Sequence, residues 1–549
     1  MEAVGNVLIF LLAVVASTFL VRLLPIKLPL PLLQIALGAC LAWLGLGVRL
    51  EPHLFLLVFI PPLLFLDGWR IPKGAFFRDW KPILALAIGL VVFTVIGMGY
   101  FIHWLVPAVP LAVAFALAAI LSPTDPVAVS AMTAATPLPS RLMHILEGES
   151  LLNDATGLVC FSFAVAAALT GEFSVGSASV SFLAVAGGGV LVGIAVIWII
   201  GMLNRGLVRY AGEEPASQVL ISLLIPFAAY MAAEHLHVSG ILAAAVAGIA
   251  MHYNELSGPA LAITRMQRTA VWDTVQVALN GVIFVLLGEQ LPAMLASLPR
   301  VAAEVGAGSG WHLLGYMALI TLGLGALRFF WVWIAIMATV FRAAWRGETR
   351  TAPATRLLAV TAAAGVRGAI TLAGVLTLPL LMPDGSPFPA RDAAISIAMG
   401  VILFSLLIAS VGMPLLTRGL TADLPRKART GGEIHARIAS AEAAIRRIEA
   451  LSEQPTGSKD ETSVRAEAAA HLLDVYRRRL QYGDLSGEDA TDMQRLLDAE
   501  RRLRREALKA ERDELYDLRR SNTIDDTVFR HLVHEIDLME SSLSRGGKH

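Results

Sequence analysis

Long apolar segments constrain this chain more than any other feature of its sequence. A helix needs about 20 mostly apolar residues to cross the roughly 30 Å hydrocarbon layer of a bilayer. Only 40 of the first 422 residues are charged, whereas 48 of the last 127 are. The sequence therefore predicts an all-α polytopic membrane domain over residues 1–422 and a charged tail over residues 423–549. The thirteen predicted spans are 4–24, 29–47, 52–68, 82–105, 109–134, 142–169, 178–203, 217–236, 238–253, 269–290, 312–341, 357–382 and 392–419.

The arginines and lysines of the connecting loops are distributed unevenly. Fifteen lie in one set of alternate loops and three in the other, and cytoplasmic loops are the ones enriched in these residues. This predicts a multi-pass protein of the cell (inner) membrane with its N-terminus outside and its tail in the cytoplasm. The fifteen are Arg22, Lys27, Arg70, Lys73, Arg78, Lys81, Arg141, Arg205, Arg209, Arg265, Arg268, Arg342, Arg346, Arg350 and Arg356, and the three are Arg49, Arg300 and Arg391.

The tail pattern predicts four helices, at about 434–452, 461–482, 488–521 and 526–544. A partial leucine stripe among many charges favours a helical bundle or short coiled coil, with a single solvated helix as the alternative. Neither part of the chain has the excess positive charge of a nucleic-acid binder. Cys40 and Cys160 both lie in apolar runs, so a disulfide framework or thiolate metal site is not expected.

Several charged side chains lie within or at the edges of the predicted spans, where each costs at least ~2.5–3.5 kcal/mol on insertion scales. The sequence leaves the roles of four of them, Glu147, Glu234, Glu289 and Arg328, open. The others are Asp67, Asp125, Glu149, Asp154 and Arg367.

The densest polar run extends from Glu147 to Asp154. At 3.6 residues per turn, Glu147, Ser150 and Asp154 share one helix face, and Glu149 and Asn153 form the adjoining face. A hydroxyl and a carboxylate four residues apart can both direct oxygen toward one small hard cation. The run is therefore the first candidate for a cation site.

Two of the predicted spans should be interrupted. Pro123 and Pro126 remove backbone donors beside Asp125, and glycines flank Arg367 in the twelfth span. If spans two to six and nine to thirteen are inverted repeats, both interruptions fall in the fourth helix of their repeat. Interrupted helices at matching positions mark the binding site of a secondary transporter.

In the polar run and at the two interruptions, the sequence resembles the monovalent cation:proton antiporter 1 family, the electroneutral sodium/proton exchangers. The resemblance covers most of the first 422 residues in the family's order. The matching motifs are Pro61-Pro62-Leu63-Leu64-Phe65 before Asp67-Gly68, Pro123-Thr124-Asp125-Pro126, Glu149-Ser150-Leu151-Leu152-Asn153-Asp154, Ala233-Glu234 with Ser239-Gly240-Ile241-Leu242-Ala243, and Gly365-Val366-Arg367-Gly368-Ala369.

The resemblance implies a thirteen-helix homodimer that exchanges Na⁺, or Li⁺ or K⁺, for H⁺ without a cofactor. It implies that Asp154 carries cation and proton in turn, with pH and sodium homeostasis as the outcome. The remaining implied site residues are Ser150, the Thr124 carbonyl and Asp67 as cation contacts, Asp125 and Asn153 as supports at the helix crossing, and Glu149 with Arg367 as a structural ion pair. The tail resembles the family's regulatory region only in position and helical character.

Transport is expected to be electroneutral because an amide, Asn153, precedes Asp154 and does not titrate near neutral pH. In electrogenic relatives this position is an aspartate. Glu147, on the same face as Asp154, is the alternative second proton carrier. A gated cation channel, an intramembrane enzyme and a sensor with an inactive transport core are the competing classes, and neither a two-histidine metalloprotease spacing nor a Gly-x-Ser-x-Gly motif supports the enzyme.

Overall fold

The chain folds as two compact units, Met1–Asp423 and Leu424–His549. A computed structural model describes residues 2–24, 28–46, 52–132, 138, 140–171, 175–256, 261–345, 355–417, 427–452, 459–483, 488–521, 523 and 526–544. Within these residues every regular element is helical, apart from an isolated β-bridge between Leu381 and Pro387. The predicted all-α fold is confirmed for the described part of the chain.

The helices of the larger unit follow the predicted spans closely. By length and composition, seven apolar helical stretches of the described chain can cross a bilayer, and four shorter apolar helices accompany them. The thirteen-span count and the inverted repeats stay predictions. The helices are α1 (Glu2–Leu23), α2 (Leu30–Trp43), α3 (Pro52–Arg70), α4 (Lys73–Arg78), α5 (Trp80–Leu84), α6 (Val91–Leu105), α7 (Leu111–Leu121), α8 (Pro126–Met132), α9 (Ser140–Thr170), α10 (Val175–Ala211), α11 (Pro215–His235), α12 (Gly240–Leu256), α13 (Ala262–Glu289), α14 (Leu291–Glu304), α15 (Gly310–Trp345), α16 (Thr355–Ala363), α17 (Ala369–Leu376) and α18 (Arg391–Thr417), with a π-helical turn at Ala85–Leu90.

Both predicted interruptions are present. The fifth predicted span consists of α7 and α8, separated by residues 122–125, and the twelfth consists of α16 and α17, separated by residues 364–368. Proline has no N–H and its ring clashes with the carbonyl one turn earlier, so the helix ends before Pro123 and resumes at Pro126. The second interruption contains no proline, and it coincides with the Gly365 to Gly368 segment.

Helices α7 and α18 lie in the interior of the larger unit. Every residue of α7 from Ala116 to Leu121 is buried, and most of α18 is as well. A helix that is apolar on all sides is stable only where other apolar groups surround it completely. This burial places the end of α7, and with it the first interruption, deep in the unit.

Glycines bring two pairs of helices into backbone contact. A Cβ added to Gly68 on α3 would lie 2.2 Å from the Ala245 carbonyl oxygen of α12, and one added to Gly248 would lie 2.0 Å from that of Phe65. In the same way, a Cβ on Gly288 of α13 would lie 1.9 Å from the Ile35 carbonyl oxygen of α2. Small residues allow such approach in membrane helices. The contacts hold α3 on α12 and α13 on α2.

A polar bend joins α4 and α5 and connects to the start of α9. Arg141 donates to the Asp79 carboxylate from Nη2 at 2.7 Å and from Nε at 3.2 Å, and Arg78 donates from the other side. Hydrogen bonding to Arg141 holds the pKa of Asp79 below its ordinary value, with Arg78 adding to the effect. The bend thereby anchors the helix that carries the polar run.

The described helices of the smaller unit pack as two pairs, and each helix lies close to the position predicted for it. The buried side chains of one pair include Leu508, Phe529 and Ile536, and Arg512 forms ion pairs with Asp537 and Glu540. The predicted bundle or short coiled coil therefore describes this part of the tail, and the alternative of a single solvated helix does not. The helices are α19 (Lys427–Ser452), α20 (Lys459–Gly483), α21 (Glu488–Arg520) and α22 (Asp526–Ser544), and residues 453–458, between the first two, lie outside the described residues.

Candidate cation site

The two helix interruptions touch each other. The backbone N–H of Asp125, just before α8, donates to the carbonyl of Val366, between α16 and α17, at 2.8 Å. Residues that leave a helix expose backbone donors and acceptors, and these groups need partners where water is excluded. The interruptions therefore satisfy part of each other's hydrogen-bonding need at a crossing inside the larger unit.

Arg367 supplies donors to the carbonyls at this crossing. Its Nε donates to the Leu121 carbonyl at the end of α7 at 2.8 Å, and Nη1 donates to the Gly365 carbonyl that follows α16. Its backbone N–H donates to Ser405 Oγ at 3.1 Å. The C-terminal end of a helix carries partial negative charge, which a cation stabilises. One buried guanidinium thus compensates the ends of two half-helices.

Asp125 places a negative charge at the N-terminal ends of α8 and α17. Its Oδ1 accepts a hydrogen bond from the backbone N–H of Ala128, in the first turn of α8, at 3.3 Å. A Cβ on Gly368, the residue before α17, would lie 2.2 Å from Asp125 Oδ2. Glycine at 368 therefore allows this carboxylate to lie against the start of α17 as well, where negative charge is favourable.

Glu149 pairs with Arg328, and the predicted pair with Arg367 is wrong for the described structure. Arg328 on α15 forms a two-point contact with the carboxylate, with Nη2 to Oε2 at 2.8 Å and Nη1 to Oε1, and its Nε donates to the Thr361 carbonyl at 2.8 Å. Both side chains are about 2% exposed or less. Arg367 does not take this role because the helix-end carbonyls already accept from its guanidinium.

Asn153 connects this ion pair to the first interruption. Its Nδ2 donates to Thr124 Oγ1 at 3.1 Å, and Thr124 Oγ1 donates to Glu149 Oε1 at 3.4 Å. Asn153 is 1% exposed, and its Oδ1 has no hydrogen-bond partner. The amide thus lies between the ion pair and the first interruption.

A cavity of about 60 Å³ lies beside the crossing. It has room for a few water molecules, or for one small cation with part of its hydration shell. Five predicted residues line it together, and the aspartates 67 and 125 are close enough to Asp154 to interact with it electrostatically. The five are Asp67, Thr124, Asp125, Ser150 and Asp154.

The cavity is also lined by residues that the sequence motifs do not single out, chiefly Asn280 on α13 and Thr371 on α17. An amide within an apolar helix is the sequence signal for Asn280, because such a group needs a polar surrounding. Three acidic residues whose roles the sequence leaves open, Glu147, Glu234 and Glu289, do not line the cavity.

We expect a double-mutant cycle to identify the partner of Glu149. Glu149→Gln and Arg328→Gln should each lower stability by about 3–5 kcal/mol, since each leaves a buried charge without its partner. The double variant should lose much less than the sum. Thermal unfolding in detergent measures the three values. The cycle of Glu149→Gln with Arg367→Gln is the matched control, and strong coupling in that cycle alone would contradict the observed pair.

Proteins similar to this chain are known. The family model for the sodium/hydrogen exchanger, transmembrane, matches residues 9–419. An uncharacterized Na⁺/H⁺ exchanger of Escherichia coli (strain K12), YjcE, is 42% identical over 551 residues, which cover 99% of each chain. A sodium, potassium, lithium and rubidium/H⁺ antiporter of Bacillus pumilus (strain SAFR-032) is 37% identical over 554 residues, covering 99% of this chain and 78% of that protein.

A solved structure shares the fold. The sodium proton antiporter MjNhaP1 of Methanocaldococcus jannaschii aligns with a TM-score of 0.55 at 18% identity, over 76% of this chain and 99% of that one. At this identity the likeness concerns the fold alone. The resemblance found in the sequence motifs is confirmed by the family match over most of the larger unit. This chain belongs to the sodium/hydrogen exchanger family of transmembrane proteins.

Proposed function

We propose that this chain exchanges a monovalent cation for H⁺ across the cell membrane, with Asp154 as the group that carries both. Na⁺ is the proposed principal substrate, with Li⁺ and K⁺ as the alternatives. One observation carries the proposal: Asp154, Ser150 and Thr124 line one cavity beside the crossing of two interrupted helices. Carboxylate, hydroxyl and carbonyl oxygens are the ligands that hard cations prefer.

Exchange follows from the charge of one buried carboxylate. Asp154 is 4% exposed, so its anionic form is costly unless a proton or a cation neutralises it. Proton and cation compete for the same oxygens, and either one neutralises the charge of Asp154. If the site switches between the two sides of the membrane only when it holds a proton or a cation, one cation moves for each proton. Ser150, the Thr124 carbonyl and Asp67 are the further proposed cation contacts, while Asp125 and Asn153 support the crossing.

Three further features complete the proposal. By the resemblance, the protein is a homodimer in the cell (inner) membrane. The uneven arginine and lysine content of the loops supports an outside N-terminus and a cytoplasmic tail. The tail, residues 423–549, is proposed to be regulatory, because the chain forms a separate compact unit there and all cavity-lining residues precede it.

Asp154→Asn should abolish exchange while leaving the protein folded and inserted. An amide of the same size does not take up or release a proton near neutral pH, and it does not balance the charge of a cation. Dequenching of a pH dye in everted vesicles, with Na⁺, Li⁺ and K⁺ in turn, measures the loss. Asp384→Asn, which changes an exposed carboxylate in the turn after α17, is the control and should retain exchange. Wild-type rates in Asp154→Asn would remove Asp154 from its role.

Exchange should be electroneutral, because Asn153 holds no titratable proton and its amide donates to Thr124. Proteoliposomes with Na⁺ as substrate, and with a potential imposed by valinomycin and K⁺, test this. The exchange rate should be unaffected by the potential. A strong dependence would show a second proton carrier, and Glu147→Gln would then be the variant to compare.

Removal of residues after about Arg429 should leave an active exchanger whose dependence on pH or cation concentration is altered. The truncated chain keeps the whole cavity and lacks nearly all of the smaller unit. Dequenching across a pH series compares it with the full chain. A folded but inactive truncation would show that the tail is part of the transport machinery.

A further inference from the structure

One face of α13 carries three polar side chains at helical spacing. Asp273, Gln276 and Asn280 recur at intervals of three and four residues, so they lie along the same side of the helix. The first two are held by α3, because Arg70 donates from Nη1 to Gln276 Oε1 at 2.6 Å and forms an ion pair with Asp273. The polar side of α13 therefore faces the helix that also carries Asp67.

Asn280 differs from the other two in its surroundings. Its side chain makes no hydrogen bond to any other side chain or backbone group of the described residues, and it lines the same cavity as Asp154. A primary amide provides one acceptor oxygen and two N–H donors, which are costly to enclose without partners. The cavity is the place where this amide can meet water or a ligand.

The composition of the cavity indicates which atoms can complete a cation shell. Among the described residues, no three histidine, cysteine, aspartate or glutamate side chains are grouped so that they could hold a metal ion. Beyond the carboxylates of Asp154 and Asp67, a cation in this cavity must therefore obtain its further ligands from neutral oxygens or water. Asn280 Oδ1 is such an oxygen, and it comes from α13, a different helix from those of Asp67, Thr124, Ser150 and Asp154.

We propose that Asn280 contacts the transported cation through Oδ1 and contributes to affinity and to the choice between Na⁺ and Li⁺. The inference rests on the proposed exchange at Asp154 and adds a ligand to it. A neutral amide suits this position because it stabilises the cation without adding a further negative charge to a cavity that Asp67, Asp125 and Asp154 already line.

The test is the half-saturating concentration of Na⁺ and of Li⁺ in the full chain, measured by dye dequenching at fixed pH. Asn280→Leu keeps the size and removes the oxygen, so half-saturation should rise roughly threefold to tenfold, as expected for the loss of one favourable polar contact. The ratio between the two cations should change, and the maximal rate should stay within about twofold. Asn280→Asp should lower the half-saturating concentration instead. Asn280→Ala is the second variant in case the leucine does not fit.

Gln276→Leu is the matched control, since it removes an amide from the same helix face outside the cavity. Its half-saturating concentrations should be unchanged. If Asn280→Leu and Asn280→Ala also leave affinity and cation ratio unchanged, or lower only the maximal rate, Asn280 is not a cation contact. Asp154→Asn is measured in parallel. Loss of exchange there, together with unchanged Asn280 variants, overturns this inference alone, whereas an active Asp154→Asn overturns the proposed function itself.

Discussion

The compensation of exposed helix ends is the constraint on which the rest of the larger unit depends. Two helices break inside an apolar unit, and each break leaves carbonyls at one end and N–H groups at the other. Arg367 donates to the carbonyls of Leu121 and Gly365, and Asp125 accepts at the start of α8. Without these two opposite charges, the crossing would hold unsatisfied backbone groups that each cost several kcal/mol.

This compensation explains how polar groups are divided between support and transport. The charges of Arg367 and Asp125 serve the backbone, and the charges of Glu149 and Arg328 serve each other. Asp154 lies between these sets and faces the cavity. The framework therefore supplies shape and neutral oxygens, and the proposed exchange of cation and proton takes place at the Asp154 carboxylate.

Much of this arrangement could be predicted from the residues themselves. Prolines at 123 and 126, and glycines around Arg367, predict both interruptions, because they act on the backbone locally. The spacing of Ser150 and Asp154 predicts their shared face for the same reason. The partner of Glu149 could not be predicted in this way, since Arg328 lies 179 positions away and its direction depends on how α15 packs. Asn280 was missed because one amide in an apolar helix gives no indication of which cavity it faces.

The glycine contacts between helix pairs have a mechanical consequence. Where the backbone of α3 touches that of α12 at Gly68, and α13 touches α2 at Gly288, any sliding within a pair would drive atoms already in contact into each other. Each pair should therefore move as one rigid block. Asp67 on α3 and Asn280 on α13 belong to different pairs, and both line the cavity beside Asp154. Any displacement of one pair against the other would therefore change the width of that cavity.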